Sequence, residues 1–374
     1  MKQLDFPDPP KSVSASDIIF DAPLVARHDS NNPLLKYSLI GSLAELQKQA
    51  QEQIPLLGNL CLRGQATVWY AKPNVGKTLI TLHLLRETLE RGTIDGGQVF
   101  YVAADDTAAG VLEKLQILQP FGIHVLAPGF NNLQAKDLPR VLRAMIAEDT
   151  VGDSFLILDT LKKFVPLMSK QESSAFADVA RQFVMKGGTI LGLAHTNKRL
   201  GADGKPIVAG TSDILDDFDG GYTIVELPQQ ANRGERVVQF DCIKSRGQLI
   251  QQVAYGYSVE NGVTYAELLD SVRLIDPDAV SQIRREADQV ADLEVIAAIE
   301  SSIAEGISGK IDIARAVTSR CKIGRQAACR IIEKYTGEDP AVHRWTFSVG
   351  DRGKQGFILL ANAIAPGCAP GEEF

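Results

Sequence analysis

The chain has 374 residues, and its 39 Lys and Arg against 46 Asp and Glu give a formal net charge of −7. With 45% hydrophobic and 23% charged residues, it has the composition of a soluble globular protein of two or three domains rather than of a disordered or fibrous one. The sequence lacks a run of the ~20 apolar residues that a membrane helix needs, and its start lacks the apolar region of a signal peptide. We therefore expect a cytoplasmic protein with no membrane partner. The acidic total also argues against wrapping of nucleic acid by the whole surface.

The first two thirds of the chain predict an α/β fold. Residues 1–35 are rich in Pro, Asp, Ser and Asn and predict a flexible arm, and a short helix is expected at 39–51. Four almost wholly apolar runs predict buried strands, at 66–71, 98–104, 154–158 and 189–194. Segments with helical spacing lie between them, at 79–91, 108–119, 137–148 and 173–186. Strands that alternate with helices predict a mostly parallel sheet with helices on both faces.

In the remaining third, the chain first becomes rich in predicted strands and then rich in predicted helices. Four further strands, expected as an antiparallel extension of the sheet, are predicted at 222–227, 236–243, 251–259 and 263–268. A charged connecting segment at 277–288 comes next, and then helices at 291–304, 311–317 and 325–335 and strands at 344–349 and 356–360. Three helices followed by a hairpin are the order of a winged helix. The predicted domains are an arm (1–35), a main α/β domain (36–275), a linker (276–288), a winged helix (289–362) and a disordered tail (363–374).

The segment between the first strand and the first long helix reads as a phosphate-binding loop. Gly76, Lys77 and Thr78 match the decisive end of the P-loop pattern, whereas its usual first glycine is replaced by Ala71. Backbone N–H groups at the start of the helix would face the phosphates, Lys77 would reach the β- and γ-phosphates, and Thr78 would coordinate Mg²⁺. The candidate ATP-binding residues are Ala71, Lys72, Pro73, Asn74, Val75, Gly76, Lys77 and Thr78.

This loop resembles that of the RecA-fold replicative helicases of the DnaB type, which also tolerate Ala at the first position. The order of the motifs and the chain length are similar to those of the RepA-type hexameric helicases encoded by plasmids. The resemblance covers roughly residues 39–268. It implies ATP and Mg²⁺ as ligands, a ring of six subunits, and single-stranded DNA in the ring.

Two acidic positions follow predicted strands. Asp159 ends the run 155–158 and is expected to support the Mg²⁺ shell as a Walker B aspartate. Asp105 matches the position where the resembling helicases carry a glutamate that activates water, but its side chain is one methylene shorter. That difference leaves open slow hydrolysis, or a role for Asp106. Both acids could instead cap the helix that begins near Thr107.

The resemblance also assigns a sensor and a DNA-contacting loop. His195 follows the fourth strand and would sense the γ-phosphate. Within the loop at 197–211, Lys198, Arg199 and Lys205 would contact single-stranded DNA, although a solvated surface loop has the same composition.

Lys244 and Arg246 close a predicted strand, in the spacing Lys-x-Arg. In the resembling helicases, such a pair reaches the nucleotide of the neighbouring subunit, where the arginine stabilises charge on the transferred phosphoryl group. A site completed in this way implies a homo-oligomer with head-to-tail contacts, here expected to be a hexamer.

The C-terminal region is locally basic. Residues 306–354 contain ten Lys and Arg against five Asp and Glu, a net charge of +5. We expect Arg320, Lys322 and Arg325 at the start of a recognition helix, and Arg352 and Lys354 at the tip of the wing, to contact duplex DNA. A winged helix that serves only protein contact remains an alternative.

Together these patterns predict an ATP-hydrolysing DNA motor, of the helicase type, for the replication of a plasmid or another mobile element. Two alternatives remain: a non-motor ATPase switch that assembles on DNA, and a recombinase-like ATPase that forms filaments.

Overall fold

The computed structural model describes residues 32–44, 46–47, 54–165, 170–200, 206–208, 213–228, 234–349 and 355–360. The chain divides into two units, 1–52 and 53–374. In the first unit, the short 3-10 helix Pro33–Tyr37 begins at Asn32, whose side chain accepts a hydrogen bond from the N–H of Leu34. Residues 43–44 and 46–47 are helical, as expected for 39–51. Most of the predicted arm and all of the predicted tail lie outside the described residues.

The second unit contains a small hairpin, one large sheet and a C-terminal hairpin. The strands are β1 Pro55–Leu56, β2 Cys61–Leu62, β3 Ala66–Ala71, β4 Val99–Ala103, β5 His124–Leu126, β6 Phe155–Asp159, β7 Thr189–Leu200, β8 Pro206–Val208, β9 Gly220–Glu226, β10 Glu235–Ser245, β11 Gln252–Ser258, β12 Arg273–Ile275, β13 Trp345–Val349 and β14 Gln355–Leu359. The helices are α1 Lys77–Glu90, α2 Ala108–Leu118, α3 Leu138–Ala147, α4 Lys170–Met185, α5 Asp213–Asp217, α6 Tyr265–Asp270, α7 Pro277–Ala304, α8 Lys310–Cys321 and α9 Arg325–Lys334.

The large sheet has the strand order β12-β11-β10-β9-β3-β7-β6-β4-β5, and β8 pairs with β7. The six strands from β9 to β5 are mutually parallel, which confirms the predicted α/β class and is consistent with a RecA-like P-loop NTPase core. The expected antiparallel extension exists in β10 and β11, and β12, which was not predicted, continues it. The prediction was wrong for β9, which pairs in parallel with β3 because the connection from β7 includes α5 and crosses to the other side of β3.

Apolar side chains pack on both faces of this sheet. On one face, Trp69 of β3 and Phe240 of β10 meet edge to face with their ring centroids 5.1 Å apart, and α1 packs over them. On the other face, Val68 and Leu158 pack against Phe183 of α4. Burial on both sides explains why these strands read as continuous apolar runs in the sequence.

Three further expectations need correction. Residues 263–268 were expected as a strand, but Thr264 and Glu267 form a capping box that starts helix α6. Residues 277–288 were expected as a connecting segment, but they form the first part of α7, with Pro277 in the first turn and Asp276 as N-cap. Residues 197–200, expected in a loop, continue strand β7.

The three C-terminal helices and the hairpin β13–β14 follow the predicted order and share one core. Ile299 of α7, Val317 of α8, Ile332 of α9 and Trp345 of β13 are all fully buried in it. The indole N–H of Trp345 donates to the carbonyl of Ile332 at 2.9 Å and to the hydroxyl of Thr336 at 3.0 Å. Farther upstream, Ile283 of α7 packs with residues of β10 to β12. Helix α7 therefore packs both in the C-terminal core and against the antiparallel strands of the large sheet. Among the described helices, none is both long and apolar enough to cross a membrane.

We expect Trp345→Ala to lower the free energy of unfolding by about 3–5 kcal/mol, because it leaves a large cavity and removes both indole hydrogen bonds. Denaturant titration checks this, with Phe347→Ala as the matched control, since Phe347 lies two residues along the same strand and is 40% exposed. Equal destabilisation by the two variants would contradict the placement of Trp345 at the centre of this core.

Candidate phosphate-binding site

The predicted phosphate-binding and acidic residues meet at one edge of the parallel sheet. The loop 72–76 follows β3, Asp105 follows β4, Asp159 ends β6, and His195 of β7 is in register with Ala71. The carboxyl ends of parallel strands are the usual ligand-binding edge of such sheets. The tertiary structure therefore brings together side chains that are up to about 120 residues apart in the chain.

The loop after β3 has the backbone of an anion-binding turn. Asn74 and Gly76 both have positive φ angles, 62° and 77°. Gly76 is the N-cap of α1 and offers no side-chain hydrogen bond, so N–H groups of the first turn remain available to a phosphate. Lys77, which is only 8% exposed, begins the helix. Burial lowers the pKa of Lys77, while Asp159 acts in the opposite direction. A phosphate would therefore add the negative charge that favours the ammonium form.

Asp159 is the junction of three elements of the site. Its Oδ2 accepts a hydrogen bond of 2.8 Å from the hydroxyl of Thr78 and one of 2.6 Å from the hydroxyl of Tyr101. Burial and the neighbouring Asp159 raise the pKa of Tyr101 well above its usual value, so the phenol acts as a donor. A serine or threonine hydroxyl beside a carboxylate is the donor set that holds Mg²⁺ together with nucleotide phosphates. Thr78 and Asp159 therefore fit the expected metal.

The two acids after β4 have separate partners. Asp105 forms ion pairs with Lys162 (2.9 Å) and Lys163 (2.8 Å). Partial burial acts to raise the pKa of Asp105, but the hydrogen bonds and charges of the two lysines outweigh it and lower the pKa. Asp106 pairs with the buried Lys114 at 2.7 Å. Neither acid caps the following helix, because the N-cap is Thr107.

His195 lies beside the phosphate loop, as expected for a sensor. Its Nδ1 is buried and has no hydrogen-bond partner among the described residues. Burial lowers the pKa of His195, and the charges of Lys77 and Lys162 lower it further. A neutral imidazole with an unpartnered nitrogen at this place suits a ligand that brings its own hydrogen-bonding groups.

Lys244 and Arg246 lie at the opposite edge of the sheet. Ser245 pairs with Gly220 of β9, and Gly220 also pairs with Thr67, near the start of β3. The phosphate loop follows Ala71, at the other end of β3, about 13 Å from Thr67 along the strand. Both cations therefore lie far from the phosphate loop of their own chain.

Within its own chain, this pair contacts the end of α5 and the residues after it. The ammonium of Lys244 donates to the carbonyls of Leu215 and Asp216, and burial lowers its pKa. The side chain of Arg246 is 51% exposed, and its guanidinium makes two long contacts, 3.5 Å to the carboxylate of Asp219 and 3.4 Å to the carbonyl of Asp216. Its guanidinium is therefore held only loosely by its own chain.

Sequence reasoning missed two residues that hold the phosphate loop. Arg236, at the start of β10, donates to the carbonyl of Asn74 at 2.7 Å and pairs with Glu226 at 3.0 Å. The ring of Tyr257, opposite Arg236 in β11, lies against Gly76. Neither residue belongs to a recognisable motif. The sequence could not predict their contact with the loop, because only the pairing of β9, β10 and β11 brings them to it. The missed pair Lys162–Lys163 did have a sequence signal, since it directly follows the Asp159 strand.

The candidate single-stranded DNA residues are only partly covered by the structure. The backbone of Lys198 and Arg199 belongs to β7, which pairs with β8, but their side chains are not described. Lys205 lies outside the described residues.

The candidate duplex-DNA residues differ in their surroundings. Arg320 lies in the last turn of α8, not at the start of α9, and pairs with Glu305 at 2.7 Å. Lys322 caps α8 in a left-handed conformation, and Arg325 begins α9. Lys322 and Arg325 are exposed and form no ion pair with any described residue. Arg352 and Lys354 lie outside the described part of the chain.

We expect Gly76→Ala to reduce nucleotide affinity by about tenfold or more, because a Cβ at Gly76 would lie 2.6 Å from the Tyr257 ring and the backbone is left-handed there. Titration with a fluorescent ATP analogue measures this. Gly92→Ala is the matched control, since Gly92 follows the other end of α1 with a φ of 65° and has open space around it. If both variants bind nucleotide equally well, the close fit of Tyr257 against the loop does not matter for binding.

Comparison with known families agrees with this geometry. Residues 36–200 match the model of a family described as AAA domain, and the match includes the phosphate loop, Asp105, Asp159 and His195. A search of curated proteins finds no match to the chain. The matched family supports ATP hydrolase activity and a nucleotide ligand. Residues 36–200 are thus similar to an AAA domain of the P-loop ATPase type, and their fold is consistent with a RecA-like α/β core around the site formed by Lys77, Thr78 and Asp159.

Proposed function

We propose that this protein is a DNA motor of the helicase type, which hydrolyses ATP with Mg²⁺ at the interfaces of a homohexameric ring and moves along single-stranded DNA. Lys77 and Thr78 bind the phosphates and the metal, Asp159 orients the metal shell, and Asp105 accepts a proton from the attacking water. Replication of a plasmid or another mobile element is the process that the motif order favours.

The observation that carries this proposal is the position of Lys244 and Arg246. They lie at the sheet edge opposite the phosphate loop, so they cannot complete the site of their own chain. The half-exposed guanidinium of Arg246 is held only weakly. Two cations in this position suit the phosphates of a neighbouring subunit, which requires a head-to-tail assembly.

Strand β7 supplies a physical connection between nucleotide and DNA. His195 is in register with the start of the phosphate loop, and the same strand continues to Leu200, at the base of the basic segment that contains Lys205. A displacement of His195 caused by phosphate would be transmitted along the strand to this segment. We assign the single-stranded DNA contacts to Lys198, Arg199 and Lys205, and the continuity of this strand supports that assignment.

We place the duplex DNA contact in the C-terminal helices and hairpin. Lys322 and Arg325 are exposed and unpaired within the described chain, whereas Arg320 is neutralised by Glu305. Exposed cations near the start of a helix suit phosphate oxygens of a duplex. The winged-helix interpretation therefore relies more on Lys322 and Arg325 than on Arg320.

A second candidate function is a non-motor ATPase switch that assembles on DNA. The observation in its favour is Asp105, which has a short side chain and is held by both Lys162 and Lys163. A water-activating carboxylate in two ion pairs would support only slow hydrolysis.

The two functions differ in DNA-stimulated ATPase and in strand displacement on a forked substrate. A motor is expected to show ATPase stimulated by single-stranded DNA together with displacement, and Lys77→Ala should abolish both. Slow ATPase without displacement would support the switch. Rings in electron micrographs agree with the motor, whereas filaments would favour a recombinase-like ATPase.

We expect Arg246→Ala to leave nucleotide binding intact and to abolish hydrolysis, because the guanidinium acts on the neighbouring site. Mixing Arg246→Ala with Lys77→Ala subunits should restore ATPase at up to about a quarter of the sites under random assembly, where an intact Arg246 meets an intact Lys77. Steady-state ATPase measures this. Arg273→Ala is the control, since Arg273 is an exposed arginine that pairs with Glu235 at the opposite end of β10. Absence of any recovery on mixing would contradict the shared site.

A further inference from the structure

Lys162 and Lys163 are two cations beside the site to which the motif pattern assigns no role. They lie in the short 3-10 helix Leu161–Lys163, immediately after the strand that ends in Asp159. The two side chains are equally exposed, at 43% and 44%. Both ammonium groups bind Asp105, one to each carboxylate oxygen. Both carboxylate oxygens of the proposed general base are therefore occupied by these two lysines.

Lys162 and Lys163 differ in the other side chains whose pKa values their charges change. In addition to burial, the charge of Lys162 lowers the pKa of Lys77 and that of His195, so its ammonium lies within electrostatic range of both residues. Lys77 follows the phosphate loop and His195 is in register with Ala71, where the loop begins. Both lysines make the ion pair with Asp105, and Lys162 is the one whose charge also acts on the two ends of the phosphate loop.

We propose that Lys162 is a binding residue for the terminal phosphate of a nucleoside triphosphate, and that it exchanges Asp105 for this phosphate when the nucleotide binds. The inference rests on the proposed ATPase site. A partly exposed ion pair is weak, so breaking it costs little. A terminal phosphate offers more charge and more acceptor oxygens than the Asp105 carboxylate, and it would lie between Lys77 and His195.

The exchange couples triphosphate binding to activation of the base. With Lys162 on the phosphate, one carboxylate oxygen of Asp105 is released while Lys163 still orients the other. The released oxygen accepts the proton of the attacking water as the water oxygen bonds to the γ-phosphorus. The bond from that phosphorus to the bridging oxygen breaks, and ADP leaves with the electron pair. A diphosphate has no group at this place, so Asp105 stays blocked in its presence.

The test compares Lys162→Met with Lys163→Met in the full chain, without DNA. Equilibrium titrations with fluorescent derivatives of ATPγS and ADP measure the affinity for each nucleotide. We expect Lys162→Met to weaken ATPγS binding by about tenfold or more, as for loss of a charge-assisted hydrogen bond, with ADP affinity changed less than about twofold. Lys163→Met is the matched control and should change neither affinity by more than about twofold. Lys162→Arg should retain the preference for the triphosphate.

Outcomes for the inference and for the proposed function can be separated. Equal loss of ATPγS and ADP affinity in Lys162→Met, or the same loss in Lys163→Met, would overturn the inference while the ATPase site stands. Lys162→Gln repeats the comparison if the methionine variant unfolds, as judged by circular dichroism. If the wild-type chain binds neither nucleotide, or if Lys77→Ala binds both normally, the proposed ATPase site itself fails.

Discussion

The carboxylate of Asp159 is the interaction on which the site depends. It lies at the end of a fully buried strand, and its Oδ2 receives the hydroxyls of Thr78 and Tyr101. Three elements, β6, α1 and β4, are thereby joined at one oxygen. Because the carboxylate is largely buried, the loss of either donor would leave it short of the hydrogen bonds that offset its desolvation. The geometry of the phosphate loop relative to the acidic residues follows from this junction.

The two ends of β10 serve different parts of the assembly that we propose. At one end, Arg236 donates to the phosphate loop of its own chain. At the other end, Lys244 and the following Arg246 lie where a neighbouring subunit could be reached. A strand paired on both sides is stiff, so a shift of the loop on nucleotide binding would move both ends together. This arrangement gives a physical route by which one site of a ring could influence the next.

The charge of the chain is unevenly distributed, and the structure shows which basic residues of the C-terminal region are already paired with acids. Residues 306–354 carry a net charge of +5 within a total of −7. Among the described residues of that segment, four cations are already paired with acids, namely Lys310, Arg315, Arg320 and Lys334. The charge available to DNA is therefore smaller than the count suggests, and it lies around Lys322 and Arg325. Binding through so few phosphate contacts should depend only weakly on salt, because the salt dependence grows with the number of phosphates neutralised.

The sequence alone determined the features that depend on neighbours in the chain. Continuous apolar runs predicted β3, β4, β6 and β7, and the glycine, lysine and threonine after β3 predicted the phosphate loop, because these signals are local. The capping box at Thr264 is also a local signal, and it starts a helix where the apolar spacing around it indicated a strand. Only the tertiary structure decided that Arg236 and Tyr257 support the loop, that Lys162 and Lys163 hold Asp105, and that Arg246 lies far from its own site. These contacts join residues far apart in the chain, and the order and direction of the strands set them, which no local pattern encodes.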